Sequence, residues 1–367
     1  MVMRKATIPV CMIFVISSIL PIGQAVACTD FQIEAIDGSI VIGRAMDFHL
    51  ELNSAITVYQ RDERLSSSSP GGKKGYEWTS KYGFVGANVL GNKRYVVDGL
   101  NEAGLSAGFL WLQEARYQTV KDSEAAQALT IFDVCSWLLG SFASTAEVKE
   151  GIKGVRVWGE VAPEINMVPP LHVAVHDTLG NNLVIEFIDG QVKLYDNPIG
   201  VLTNSPPFDW QIMNLRNYIN LTNLEMKPMD IAGITLNSTG YGSGLLGIPG
   251  NWTPPSRFVR TVLFTHFANP TKDALGGVTL AVHILNTIDI PCGTIKEKEG
   301  ESLVDNYTQW AVIKDLINKV FYFRDYRNMG LRAIDLKKID FKSQAKVKLL
   351  PIASEDYGVV NVTERLF

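Results

Sequence analysis

Whatever this chain folds into begins at Cys28. Arg4 and Lys5 precede an apolar run from Ile8 to Leu20, broken at Pro21 and Gly23, and Ala25-Val26-Ala27 then supplies small residues at −3 and −1. That is the layout of a secretory signal peptide with an A-x-A cleavage site, spanning residues 1–27. The apolar run is too short for a membrane span, which needs about 20 residues, and no later stretch reaches that length without charge. The expected product is an exported protein, periplasmic or secreted, with no stable membrane span. Cleavage would leave residues 28–367 with Cys28 as a new N-terminus.

The leader carries two cations and no acid, so its loss moves the net charge from −4 to −6. A mildly acidic chain without a basic block excludes nucleic acid as the expected partner. Hydrophobic residues at 46% suffice for a large core, and no linker divides the chain, so one domain over 28–367 is expected. Cys11 leaves with the leader. Cys28, Cys135 and Cys292 remain, an odd number that points to a free, reactive thiol. Cys135 and Cys292 could pair or be buried, though Cys135 falls in an apolar helical pattern with Ile131, Phe132, Leu138 and Leu139.

Alternation around Phe31 and Ile33, the turn Asp37-Gly38-Ser39 and the run Ile40-Val41-Ile42 predict a hairpin over 28–47. A second is expected where Tyr95–Val97 and Leu105–Leu112 flank Asn101-Glu102-Ala103-Gly104. Ser66–Gly75 reads as a flexible, solvated rim loop. Residues 123–152 read as helical, with a capping box at Ser144-Thr145-Ala146-Glu147. Strands are expected at His172–His176 and Leu183–Ile188, helices at Arg257–Phe267 and Leu275–Leu285, and a strand pair at Tyr307–Ile313 and Lys319–Phe323. This order predicts an α+β fold with antiparallel sheets.

A cysteine at a chain terminus carries its own base. The freed α-amine, with an ordinary pKa of about 7.7–8, can take the thiol proton without a recruited histidine. An alternative stands beside this reading: Ala-Val-Ala-Cys could be a lipidation signal, giving a lipid-anchored binding protein with a blocked amine. Ala25, where such signals usually have Leu, fits that poorly. Gly242–Gly247 matches G-x-G-x-x-G but lacks the flanking strand and helix of a dinucleotide site. His172 and His176 share a strand face without the Cys or carboxylate cluster of a metal site, so core or surface histidines are expected. No G-x-S-x-G elbow occurs. No cofactor and no metal are expected.

Cys28-Thr29-Asp30-Phe31, followed by Gly43-Arg44-Ala45-Met46-Asp47, resembles the opening of the choloylglycine hydrolase family. Members are N-terminal-nucleophile hydrolases that include bile salt hydrolases and penicillin V acylases. The resemblance continues through Asp98–Leu105, Val201–Pro206, Ser256–Arg260 and Tyr307–Trp310, and so covers nearly all of the chain after Cys28. It implies a four-layer αββα sandwich with two antiparallel sheets and hydrolysis of linear carboxamides in small amphipathic N-acyl compounds. Homo-oligomers are common in the family.

The resemblance also implies roles. Cys28 is the nucleophile, Arg44 lowers the thiol pKa, and Asp47 accepts a hydrogen bond from the Cys28 ammonium. Asn204 donates its amide to the oxyanion, and Arg257 completes the charged shell. The position of the second oxyanion donor falls on Trp111, where relatives carry Asn or Tyr; a backbone N–H there would serve, with the indole as an apolar wall. An exported member with Trp at this place resembles the Gram-negative branch, associated with penicillin V and N-acyl homoserine lactones, and conjugated bile salts are the alternative substrates.

Overall fold

A computed structural model describes residues 27–342 and 348–366. The expected leader, apart from Ala27, lies outside the described residues. From Cys28 the chain runs as the strand Cys28–Glu34, turns at Asp37-Gly38, and returns as Ile40–Phe48. Asp37 Oδ1 accepts from the Ser39 N–H at 2.9 Å, and Gly38 takes φ 82°, which the turn requires and glycine adopts without strain.

This hairpin is the centre of the first sheet. In order across it lie Val201–Leu202, Cys28–Glu34, Ile40–Phe48, Ser302–Asp315, Val320–Asp325 and Arg332–Asp335, with Ile295–Glu299 pairing onto Ser302–Asp315. The second sheet runs Gln191–Asp196, Asn182–Ile188, Leu171–His176, Ser106–Trp111, Asn92–Asn101, Phe84–Val89, Ala55–Tyr59 and Leu350–Pro351. Every pairing within both is antiparallel.

Helices Pro254–Phe267 and Ala274–Asn286 cover the outer face of the first sheet, and Ile131–Ser141 covers that of the second. The result is the αββα sandwich the resemblance implied. Strands covered on both faces read as near-continuous apolar runs rather than alternating ones; all nine residues of Ile40–Phe48 are buried. The two hairpins, the later strand pair and the two helices before it lie where the sequence predicted them.

Three expectations need correcting. Ser66–Gly75 is no flexible loop: Arg64–Ser69 and Lys73–Thr79 form a hairpin, in which Ser66 and the tip at 70–74 are exposed while Ser67, Ser69 and Gly75 are buried. Ser67 is buried because its hydroxyl donates to Asp133 Oδ2 at 2.7 Å and accepts from the Thr130 N–H at 2.9 Å. Residues 123–152 are not helical throughout. Ala128–Thr130 is a strand, parallel to Arg156–Trp158, which leaves the helices Ile131–Ser141 and Thr145–Gly151. Ser144 caps the second of these through the Glu147 N–H, while the Glu147 carboxylate reaches back to Ala143 rather than to Ser144. Finally, Cys135 is buried and Cys292 exposed, and both are free thiols, so the open alternative of a disulfide between them is settled against pairing.

Candidate active site

Antiparallel register decides which side chains meet. Cys28 pairs with Met46 and Asp30 with Arg44, so these four share the face turned toward the second sheet. Thr29, Ala45 and Asp47 face the helices. Cys28, at the end of its strand, is therefore approached from both sides.

From the helix side comes Arg257. Pro254 and Pro255 open its helix at positions where a missing N–H costs nothing, and Arg257 follows in the first turn. Its Nε donates to the Trp252 carbonyl at 3.0 Å. Nη1 donates to the Cys28 carbonyl and to Thr29 Oγ1, both at 2.5 Å, and Nη2 to Asn204 Oδ1 at 2.7 Å. Asn204 follows the short strand Val201–Leu202 beside Cys28–Glu34. Its Oδ1 also accepts from the Cys28 N–H at 2.6 Å, and its Nδ2 donates to the Trp111 carbonyl at 2.9 Å. Two donors on one side and an acceptor on the other fix the orientation of this amide.

Asp47 is fully buried. Its Oδ1 accepts from the Thr308 hydroxyl at 2.5 Å, and its Oδ2 has no partner. The Thr308 oxygen itself accepts from the Ile290 N–H at 2.8 Å, which directs its one proton at Asp47. Burial pushes the Asp47 carboxyl up to about 7, against the opposing pull of Arg257 and the Thr308 hydrogen bond. Burial also pushes the Cys28 thiol up, and Arg44 is the strongest influence in the other direction. With Ala27 in place the Cys28 nitrogen is a peptide amide, and the Ala27 carbonyl accepts from the Asp47 N–H at 3.0 Å.

The thiol lies at the wall of a pocket of about 90 Å³ between the sheet ends. Met46 Sδ stands 3.8 Å from Sγ, and Phe48, Trp111, Phe109, Leu52 and Phe132 are among the other walls. No charged side chain lines it. Trp111 pairs with Leu171, and the neighbouring Leu112 N–H bonds the Pro170 carbonyl at 2.8 Å. The alternation of the ladder therefore turns both the N–H and the C=O of Trp111 away from that strand and toward Asn204.

The structure thus brings Cys28, Asp47, Asn204, Arg257 and Trp111 into one cluster, with Arg44 acting on the thiol by charge. His172 and His176 are core residues. One meets Glu186 and the Thr203 carbonyl at 3.2 and 2.9 Å; the other meets Asp30 at 2.6 Å. No group of His, Cys, Asp and Glu that could hold a metal occurs among the described residues, and none of their helices is long and apolar enough to cross a membrane. Sequence reasoning passed over Thr308. Its place inside the quoted Tyr307–Trp310 motif was the available signal.

Four layers with a cysteine at the head of a central strand define the N-terminal-nucleophile hydrolase fold. The chain belongs to the choloylglycine hydrolase family of linear amide C–N hydrolases, whose sequence model matches residues 28–348. It is 30% identical to a bile salt hydrolase/transferase of Clostridium perfringens, over 85% of this chain and 93% of that one. It is 27% identical to a penicillin V acylase of Pectobacterium atrosepticum, over 95% and 92%. A crystal structure of a variant of conjugated bile acid hydrolase from C. perfringens superposes with a TM-score of 0.79 at 28% identity, over 92% of this chain and all of that one. The protein is a hydrolase of linear amides.

Proposed function

We propose that Cys28, freed by removal of residues 1–27, is the nucleophile of an acylase for amides with an apolar, aromatic or fatty acyl group, of the penicillin V or N-acyl homoserine lactone type. The supporting observation is the pocket: apolar walls without a charged side chain, with the thiol set in them. Sγ attacks the amide carbonyl while its proton passes to the Cys28 amine. Negative charge gathers on the former carbonyl oxygen, where the second Asn204 Nδ2 proton and the Trp111 N–H would donate. The C–N bond then breaks, the amine leaves with the proton, and the acyl group remains as a thioester. Water releases the acid and restores the thiol. Asp47 Oδ2, without a partner in the uncut chain, would receive the new ammonium.

Conjugated bile salt hydrolysis is the second reading, favoured by the bile salt hydrolase among the relatives. Its acyl groups carry hydroxyls, and the Tyr95 hydroxyl is the one such group among the pocket-lining side chains. A lipid-anchored Cys28 sits badly with a thiol only 2% exposed. Export to the periplasm or beyond follows from the leader. Self-association is suggested by the hairpin of Met229–Ile231 and Ile234–Leu236, whose Met229, Ile231, Ile234 and Leu236 are all at least half exposed.

The test is turnover of penicillin V, a long-chain acyl homoserine lactone and a glycine-conjugated bile acid, beside the mass of the mature N-terminus. A diacylglyceryl adduct on Cys28, or full activity of Cys28→Ala, would refute the nucleophile. Preference for the bile acid would select the second reading.

A further inference from the structure

Behind the thiol, between the sheets, lies a closed cluster of charges. Both Asp98 oxygens accept from the Lys314 ammonium, at 2.9 and 3.0 Å, and Asp98 Oδ2 stands 3.4 Å from Arg44 Nε. All three side chains are 0% exposed. Arg44 and Lys314 come from adjacent strands of the first sheet, Asp98 from the second. Next to Asp98, Gly108 leaves them room: a Cβ there would lie 2.5 Å from Asp98 Oδ2 and 3.5 Å from the Arg44 side chain.

Counting charges shows what is unusual. Two cations share one carboxylate. The adjoining Asp30 is a second buried carboxylate, but it has its own partner: both His176 ring nitrogens face acceptor oxygens, Asp30 Oδ1 at 2.6 Å and Asn182 Oδ1, so the ring can donate from both and offset Asp30. A buried charge without a counter-charge is costly, so the excess positive charge calls for an anion. Arg44 carries it: Nη2 donates to the Phe109 carbonyl, the guanidinium lies over the Trp310 ring at 5.1 Å, and Nη1 has no hydrogen-bond partner. Burial pushes the Asp98 carboxyl up, and Lys314 and then Arg44 oppose it.

We propose that Asp98 and Lys314 are positioning residues that set the charge Arg44 presents to Cys28. Lys314 occupies both oxygens of Asp98, so the carboxylate holds Arg44 in place without neutralising it, and the surplus charge is left for the thiolate. Resting as it does on Cys28 as nucleophile, this deepens the proposed function by naming what tunes the thiol. The other charges around the thiol are Asp47 on the same strand as Arg44, Arg257 from the covering helix, Asp289 beyond Asp47, and the Asp30–His176 pair. In the processed chain the Cys28 amine joins them.

Two neighbouring substitutions should shift the thiol in opposite directions. Loss of the cation in Lys314→Met lets Asp98 neutralise Arg44, and the thiol pKa rises. Loss of the anion in Asp98→Asn leaves both cations unopposed, and it falls. At an interior dielectric of about 20, a charge roughly 10–15 Å away is worth about one pH unit.

The experiment is the pH dependence of Cys28 alkylation by iodoacetamide in the processed enzyme, read by mass spectrometry of the Cys28 peptide so that Cys135 and Cys292 do not contribute. We expect the midpoint to move up about one unit in Lys314→Met and down by a similar amount in Asp98→Asn. The double variant, which removes one charge of each sign and is the least demanding to fold, should return toward wild type, and Lys314→Arg should stay near it. Packing damage alone would move both single variants the same way; that outcome, or an unmoved midpoint in either single variant, overturns the proposal. Active Cys28→Ala would instead refute the nucleophile, whatever these midpoints do.

Discussion

Asp47 is a residue whose environment would change sign on cleavage before Cys28. While Ala27 remains attached, its carboxyl is buried, Oδ2 has no partner, and the group titrates at about 7 instead of 3.8. In the unfolded chain it ionises near pH 4. Between about pH 4 and 7 the folded form therefore holds a proton that the unfolded form has lost, and stability falls as pH rises through this window. The full displacement corresponds to a ceiling of ~4 kcal/mol, lost above pH 7. Processing should reverse the sign, because an ammonium beside Oδ2 favours the ionised carboxylate. The assay is urea unfolding at pH 5 and pH 8, on the processed enzyme and on a form extended through Ala27 by a short neutral tag. The extended form should lose a few kcal/mol more than the processed one on going to pH 8, and Asp47→Asn should abolish that difference while inactivating the processed enzyme. Equal pH dependence in the two forms, or a difference that survives Asp47→Asn, would refute the reasoning.

Other substitutions probe the remaining parts. Asn204→Asp keeps acceptors for Arg257 and Cys28 but removes the donor, so kcat should fall about 10²–10³-fold with KM little changed; an unaltered kcat would mean that Asn204 only orders the loop. Cys28→Ser should be strongly impaired in turnover while unfolding at the same urea concentration, since a hydroxyl ionises far less readily than a thiol. Charges placed on the exposed hairpin, as in Ile231→Lys with Ile234→Glu, should leave a monomer by sedimentation if that hairpin joins copies of the chain; an unchanged mass would assign it no such role.

What could be read from the sequence was mainly local. The Asp37-Gly38 turn fixes the hairpin that carries Cys28, Arg44 and Asp47, and its register follows from the turn. The pairing of Ser302–Asp315 onto Ile40–Phe48 joins segments about 260 residues apart, and no local signal encodes it. Ser67 illustrates the same limit. Its run of serines reads as solvated until Asp133, from a distant helix, is seen to accept its hydroxyl. The candidate site residues were legible through the family spacing, not through any rule that would place Asn204 and Arg257 beside Cys28.

Lys314 went unnoticed for a related reason. In Ala311-Val312-Ile313-Lys314 a strand with one solvated face would present the lysine to water, and nothing more would follow. Here both faces are covered, and the lysine is 0% exposed. Arg44 stands in the same situation in Ile40–Phe48, and Asp98 in the facing sheet. In a two-sheet sandwich enclosed by helices, a charge inside an apolar strand has no route to solvent and must meet an opposite charge within the core. The sum of such charges around a nucleophile is then a property of the fold. In this chain three strands supply two cations and one anion behind Cys28, and the imbalance has the sign that favours a thiolate.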